Sequence, residues 1–166
     1  MKVPTARVDD TYIQALPDKW RVNAEGTRGA KGTEFVVEDL GDSTTVSGAK
    51  TIALKSIYGK YMAAHEPSHE PNFPYPNYNV TAGSTFLWKG AKFEVKHNSR
   101  NQYWFKTAFG RYLIGRTDGT LRGNGTQYEL RRWAKFTPEC IEGRLTGQLG
   151  GMKIFCFIYI YPTNSY

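Results

Sequence analysis

The sequence is poor in the residues that most often carry chemistry. Its 166 residues include only two cysteines, Cys140 and Cys156, too few for a disulfide framework. Three histidines are present, His65, His69 and His97. His65 and His69 have the spacing that puts two ligands on one helical face, but Pro67 and Pro71 interrupt a helix there, so no metal site is expected. Acids are sparse after Asp42, and there is no Gly-x-Ser-x-Gly elbow, phosphate loop or dinucleotide fingerprint. Catalytic residues and cofactors are therefore not expected. The longest apolar run, Ile154 to Tyr161, is less than half of the roughly 20 residues that span a bilayer as a helix. Met1-Lys2-Val3-Pro4-Thr5 lacks the basic-then-apolar block of a leader, which favours a cytoplasmic, reduced setting.

Positive charge is plentiful. Lys and Arg number 22 against 15 Asp and Glu, a net +7. Residues 1–50 hold 7 bases and 8 acids, residues 51–100 hold 6 and 3, and residues 101–166 hold 9 and 4. An excess confined to the later part of the chain favours an acidic partner. Apolar residues make up 40% and aromatic ones 14%, enough for one packed domain and too many for a disordered chain.

Seventeen Gly and eight Pro punctuate the chain, and no stretch between them keeps a helical apolar period. Ile52–Lys55, Lys60–Met62, Lys92–Val95, Trp104–Lys106 and Arg111–Ile114 read instead as short strands. The fold class is all-β.

Residues 54–62, Leu-Lys-Ser-Ile-Tyr-Gly-Lys-Tyr-Met, match residues 105–113, Phe-Lys-Thr-Ala-Phe-Gly-Arg-Tyr-Leu, in residue class without a gap. A weaker copy lies at 13–21, and each copy is followed by a strand aromatic: Phe35, Phe93 and Phe136. Three units of this length suit a single β-trefoil of three repeats, about 11–50, 51–101 and 102–138. An N-terminal arm, 1–10, precedes it, and a tail, 139–166, adds an extra C-terminal β-strand packed on the trefoil. Gly59 and Gly110 fit a left-handed turn position, with Asp18 as the first copy's substitute. Trp20, Tyr61 and Tyr112 are expected to point inward, one per lobe. Lys19, Lys60 and Arg111, one residue earlier, then point outward.

The string Leu54-Lys55-Ser56-Ile57-Tyr58-Gly59-Lys60-Tyr61-Met62-Ala63-Ala64 resembles the repeat signature of fascin-type trefoils, shared by fascin and the hisactophilins. Gly110 to Trp133 resembles the same repeat running into its second hairpin. The resemblance implies a non-enzymatic binding module with actin filaments as partner, contacted by the base before a repeat's Tyr. Lys60 matches that base, Lys19 and Arg111 take the equivalent places, and Lys55 and Lys106 stand beside them in the copies. This chain has one trefoil where fascin has four, and it lacks the histidine richness of hisactophilin.

Other features point elsewhere. The proline- and Asn-rich segment 66–79 offers Phe73, Tyr75, Asn77 and Tyr78 for stacking against glycans or a peptide. Gln102-Tyr103-Trp104 matches the Gln-x-Trp of ricin-type lectins once. A carbohydrate-binding lectin is thus the alternative, and a growth-factor-like or inhibitor trefoil a further one. Arg111, Arg116, Arg122, Arg131, Arg132 and Lys135, with Lys89, Lys92 and Lys96 upstream, suit polyanions, but without a recognition helix or aromatic platform sequence-specific nucleic-acid binding is not expected. Lys153–Tyr161 is strongly β-prone and is expected to be buried, either as the strand that closes the barrel, which would shift the third unit, or as an added strand that pairs with the N-terminal segment or with another copy in a homodimer.

Overall fold

A computed structural model describes residues 11–27, 29–65, 80–100, 102–116, 119–126, 136–144 and 152–160. Twelve strands form among them: β1 (Thr11–Ala15), β2 (Val22–Gly26), β3 (Glu34–Asp42), β4 (Lys50–Ser56), β5 (Tyr61–Ala64), β6 (Val80–Ser84), β7 (Phe93–His97), β8 (Tyr103–Lys106), β9 (Tyr112–Gly115), β10 (Leu121–Gly125), β11 (Phe136–Arg144) and β12 (Met152–Ile160). Single 3-10 turns occupy Asp18–Trp20 and Lys89–Ala91, and no α-helix occurs among the described residues. The chain is all-β, as its alternation and turn residues predict. No helix among these residues is long and apolar enough to cross a membrane.

Six strands pair antiparallel in a circuit. β3 pairs with β4, β4 with β7, β7 with β8, β8 with β11 and β11 with β12, and β12 returns to β3. The remaining strands make three hairpins, β1–β2, β5–β6 and β9–β10, each joined to the circuit through its first strand. Bridges Arg21↔Thr81 and Asn23↔Thr120 tie the β2 segment to its counterparts in the other two hairpins.

The registers repeat three times. Ile52 faces Phe93, Tyr103 faces Phe136, and Cys156 faces Phe35. Tyr61 faces Lys55, Tyr112 faces Lys106, and Tyr12 faces Tyr159. Tyr12, Tyr61 and Tyr112 then pair with Gly26, Ser84 and Gly125, each with a register shift just beyond. The residues after these tyrosines, Ile13, Met62 and Leu113, are fully buried, and so are Phe35, Phe93 and Phe136. Both faces of these strands are covered in places, since Tyr12 and Tyr112 are buried as well and β9 is buried along its whole length. Truncating such a Phe to Ala typically costs about 3–5 kcal/mol.

These registers correct two expectations. The third counterpart of 54–62 and 105–113 is not 13–21 but a split copy, Tyr159-Ile160 on β12 set beside Thr11-Tyr12-Ile13 on β1. Residues 16–21 are the connection within the β1–β2 hairpin, so Trp20 does not share a place with Tyr61 and Tyr112. It is 41% exposed, whereas Tyr112 is buried. Trp20, not Asp18, adopts the left-handed conformation, at φ 54°, while Gly59 and Gly110 take it as expected at 77° and 75°. The C-terminal strand is not an appendage either. β12 pairs with β11 along its length and with β3 and β1 on its other edge, which removes the open edge that a strand-pairing homodimer needs. The side chains of β12 lie outside the described residues, so the burial expected for them is not addressed.

Candidate functional site

Two chain turns equivalent by register, 56–60 and 107–111, build the same surface corner. Each begins at a buried hydroxyl residue, Ser56 or Thr107. Its N–H donates to the carbonyl of the base four residues on, Lys60 or Arg111, at 2.8 and 2.7 Å. The glycine N–H, of Gly59 or Gly110, donates back to the Ser56 or Thr107 carbonyl. The hydroxyl itself accepts the N–H of the turn's aromatic, Tyr58 or Phe109, each at 3.2 Å. Hydroxyl, glycine and reverse turn together fix where the aromatic stands.

A lysine from a neighbouring segment then lies over each ring. Lys31 Nζ is 5.7 Å from the centroid of Tyr58, and Lys89 Nζ is 5.2 Å from that of Phe109. These lysines are equivalent too. Each stands one residue before a glycine, Gly32 or Gly90, and four before a core phenylalanine, Phe35 or Phe93. The glycine is needed because a Cβ there would run into the carbonyl oxygen of Ala15 or of Ala64. The pair has a sequence signal, Lys-Gly-x-x-Phe at 31–35 and again at 89–93.

The first corner carries two more such contacts. Lys60 Nζ lies 5.5 Å from the Trp20 ring, and Lys55 Nζ 5.4 Å from the Tyr61 ring. Tyr61 donates its hydroxyl to both carboxylate oxygens of Glu38 at 3.0 Å. Burial, then this hydrogen bond and the Glu38 charge, push the Tyr61 phenol above its ordinary pKa. Trp20 is held against Gly83 of β6, where a Cβ would stand 2.5 Å from the Trp20 Cβ and Cγ. A left-handed backbone at so bulky a residue costs about 1–3 kcal/mol, and such strain concentrates at functional positions.

Four lysines, 31, 55, 60 and 89, thus rest on aromatic rings, and among the described residues none pairs with a carboxylate within 4.0 Å. A ring holds an ammonium in place, for about 0.5–1 kcal/mol at an exposed site, without neutralising it. Ion pairs join Arg21 to Asp18 at 3.1 Å, on either side of Trp20, and Lys50 to Asp42 at 2.9 Å.

The sequence-predicted residues fall into three groups. Lys60 and Lys55 belong to the first corner. Arg111 closes the second turn and is exposed, and Lys106 is half-buried on β8, facing Tyr112 and Glu94 in register. The Lys19 side chain and the loop residues Phe73, Tyr75, Asn77 and Tyr78 lie outside the described residues. By its backbone, Lys19 sits in the 3-10 turn of the β1–β2 connection and has no register equivalence to Lys60 and Arg111. Gln102 of the lectin-like tripeptide is buried, its side-chain oxygen taking a 2.8 Å bond from the Asn98 amide. His65 is half-buried, with Nε2 2.8 Å from the Thr81 hydroxyl and its ring 5.3 Å from that of Trp88, and burial lowers its pKa. His69 lies outside the described residues, among which no cluster of metal-ligating side chains occurs. Neither a family model nor a curated protein matches the sequence, so the two lysine–aromatic corners are read from their own chemistry.

Proposed function

We propose that this chain is a non-enzymatic binding module with a fascin-like β-trefoil fold, acting in the cytoplasm on an acidic protein surface such as actin filaments. Six circuit strands, three hairpins and registers that recur three times support the trefoil reading. The observation that carries the function is the set of lysines fixed over aromatic rings at equivalent corners without carboxylate partners. Amines already positioned and still charged suit a partner that supplies the negative charge, and they lose less side-chain freedom on binding than free lysines do. Electrostatic complementarity of this kind sets partner choice and association rate.

Co-sedimentation with actin filaments tests it. Pelleting is expected at low salt, with a decline as ionic strength rises and the Debye length falls from about 30 Å at 0.01 M to about 8 Å at 0.15 M. Converting Lys31, Lys60 and Lys89 together to Glu should abolish it. Failure of the wild type to pellet at low salt, or pelleting unchanged by the triple substitution, would overturn the proposal. A glycan array run beside it addresses the carbohydrate alternative. Glycan binding that tolerates salt and depends on the aromatics would favour a lectin instead.

A further inference from the structure

The two corners share a backbone design and differ in what surrounds it. At the first, Ile57 is 58% exposed in the same turn as Lys60, and Trp20 under the Lys60 amine is 41% exposed. Phe86, two residues past the register partner of Tyr61, is 64% exposed. The second corner has the small Ala108 where the first has Ile57. Two of the four exposed large hydrophobic side chains among the described residues, Trp20 and Ile57, therefore belong to the Lys60 corner.

The nearest acid in the Trp20 loop, Asp18, is already engaged with Arg21 at 3.1 Å. Among the described residues Lys31 and Lys60 have no carboxylate within 4.0 Å. An indole kept half-exposed in a strained left-handed backbone, over a glycine that must lack a side chain to seat it, is more than the hairpin turn needs.

We infer that the first corner, Trp20 and Ile57 flanked by Lys60 and Lys31, is a docking site for a protein segment in which a carboxylate stands next to an apolar side chain. The carboxylate meets the Lys60 and Lys31 amines, and the apolar side chain lies on the Trp20 ring and Ile57. Charge complementarity selects an acidic occupant, and the exposed apolar atoms select one that is not merely acidic. Such pairing of a tryptophan with a cation at the centre of a patch is typical of binding hot spots. This deepens the acidic-partner reading by naming the chemistry of the segment and ranking the two corners.

The test uses two labelled peptides of equal length and charge, one alternating Asp with Leu and one alternating Asp with Gly, titrated against the full chain at low salt. The Asp/Leu peptide should bind about ten-fold more tightly, the step that one good apolar contact supplies. Trp20→Gly should erase that preference while leaving the thermal midpoint unchanged or higher, because glycine adopts the positive φ freely. Lys60→Glu should weaken both peptides more than Lys89→Glu at the second corner does. Equal binding of the two peptides, no binding of either, or a Trp20→Gly variant that loses stability and keeps the preference would overturn the inference. So would heparin that binds more tightly than either peptide and ignores Trp20→Gly. Filament pelleting that fails while the peptide preference holds would remove actin as the partner and leave the docking site standing.

Discussion

The indole of Trp20 occupies the space that a side chain on Gly83 would need, a contact between the β1–β2 connection and strand β6. Gly83→Ala is expected to destabilise the protein by about 1–3 kcal/mol, the range for overpacking. Trp20→Gly removes both the obstructing ring and the strained φ, so the double variant should be more stable than the sum of the single effects implies. Urea unfolding of the four proteins, treated as a double-mutant cycle, measures the coupling. Additive effects would mean that the ring does not rest on Gly83.

The hydroxyls of Ser56 and Thr107 are predicted to hold the two corners independently. Ser56→Ala removes the acceptor of the Tyr58 N–H and should cost about 1 kcal/mol, the net value of a hydrogen bond, whereas Thr107→Val removes the acceptor of both the Phe109 and the Arg111 N–H, at 3.2 and 3.3 Å, and should cost more. The two turns share no residues, so the costs should add in the combined variant. Denaturant midpoints decide this, and equal costs would mean that the second bond to the Thr107 hydroxyl adds nothing.

How much of this was legible in the sequence depends on whether a unit is contiguous. Residues 54–62 and 105–113 each run unbroken from circuit strand through turn to hairpin strand, so their likeness is visible in the sequence and places Gly59, Gly110, Lys60 and Arg111 in matching turns. The third unit is divided between Tyr159-Ile160 and Thr11-Tyr12, at opposite ends of the chain. No window contains it, and 13–21 took its place because an apolar residue, a lysine and an aromatic happen to recur there. That alignment places Trp20 in the interior, but its ring rests on Gly83, remote in sequence, and stays 41% exposed. Lys31 and Lys89 were marked by a repeated Lys-Gly-x-x-Phe, but the rings they cover belong to other segments, and sequence spacing does not bring those together.

Tyr61 and Glu38 give a prediction at high pH. Burial is the first cause of the raised phenol pKa and Glu38 the second. Glu38→Gln should therefore bring the Tyr61 titration only part of the way back toward its ordinary value of 10.0. A folded pKa above the unfolded one means that the neutral phenol is favoured in the native state. Its stabilisation is present in full below the unfolded pKa and is lost as pH rises through the folded one. Ultraviolet difference titration of wild type, Glu38→Gln and Tyr61→Phe follows the tyrosine directly, and a full return in Glu38→Gln would assign the shift to Glu38 alone.

His65 works in the opposite direction. Its imidazole is half-buried against Trp88 with Nε2 at the Thr81 hydroxyl, and burial disfavours the charged ring, so its folded pKa lies below the unfolded value of 6.5. The unfolded chain then takes up its proton first as pH falls. The stabilisation is present above 6.5 and is lost as pH drops through the folded pKa, after which both states are protonated and this residue's contribution levels off. His65→Gln retains a side-chain amide for Thr81 and has no proton to gain, so stability between pH 7 and 5 should fall less steeply in the variant than in the wild type. Parallel urea titrations at a series of pH values give the two slopes, and the imidazole proton resonances give the folded pKa itself. Equal slopes, or a folded pKa at or above the unfolded one, would mean that packing against Trp88 does not keep the ring neutral.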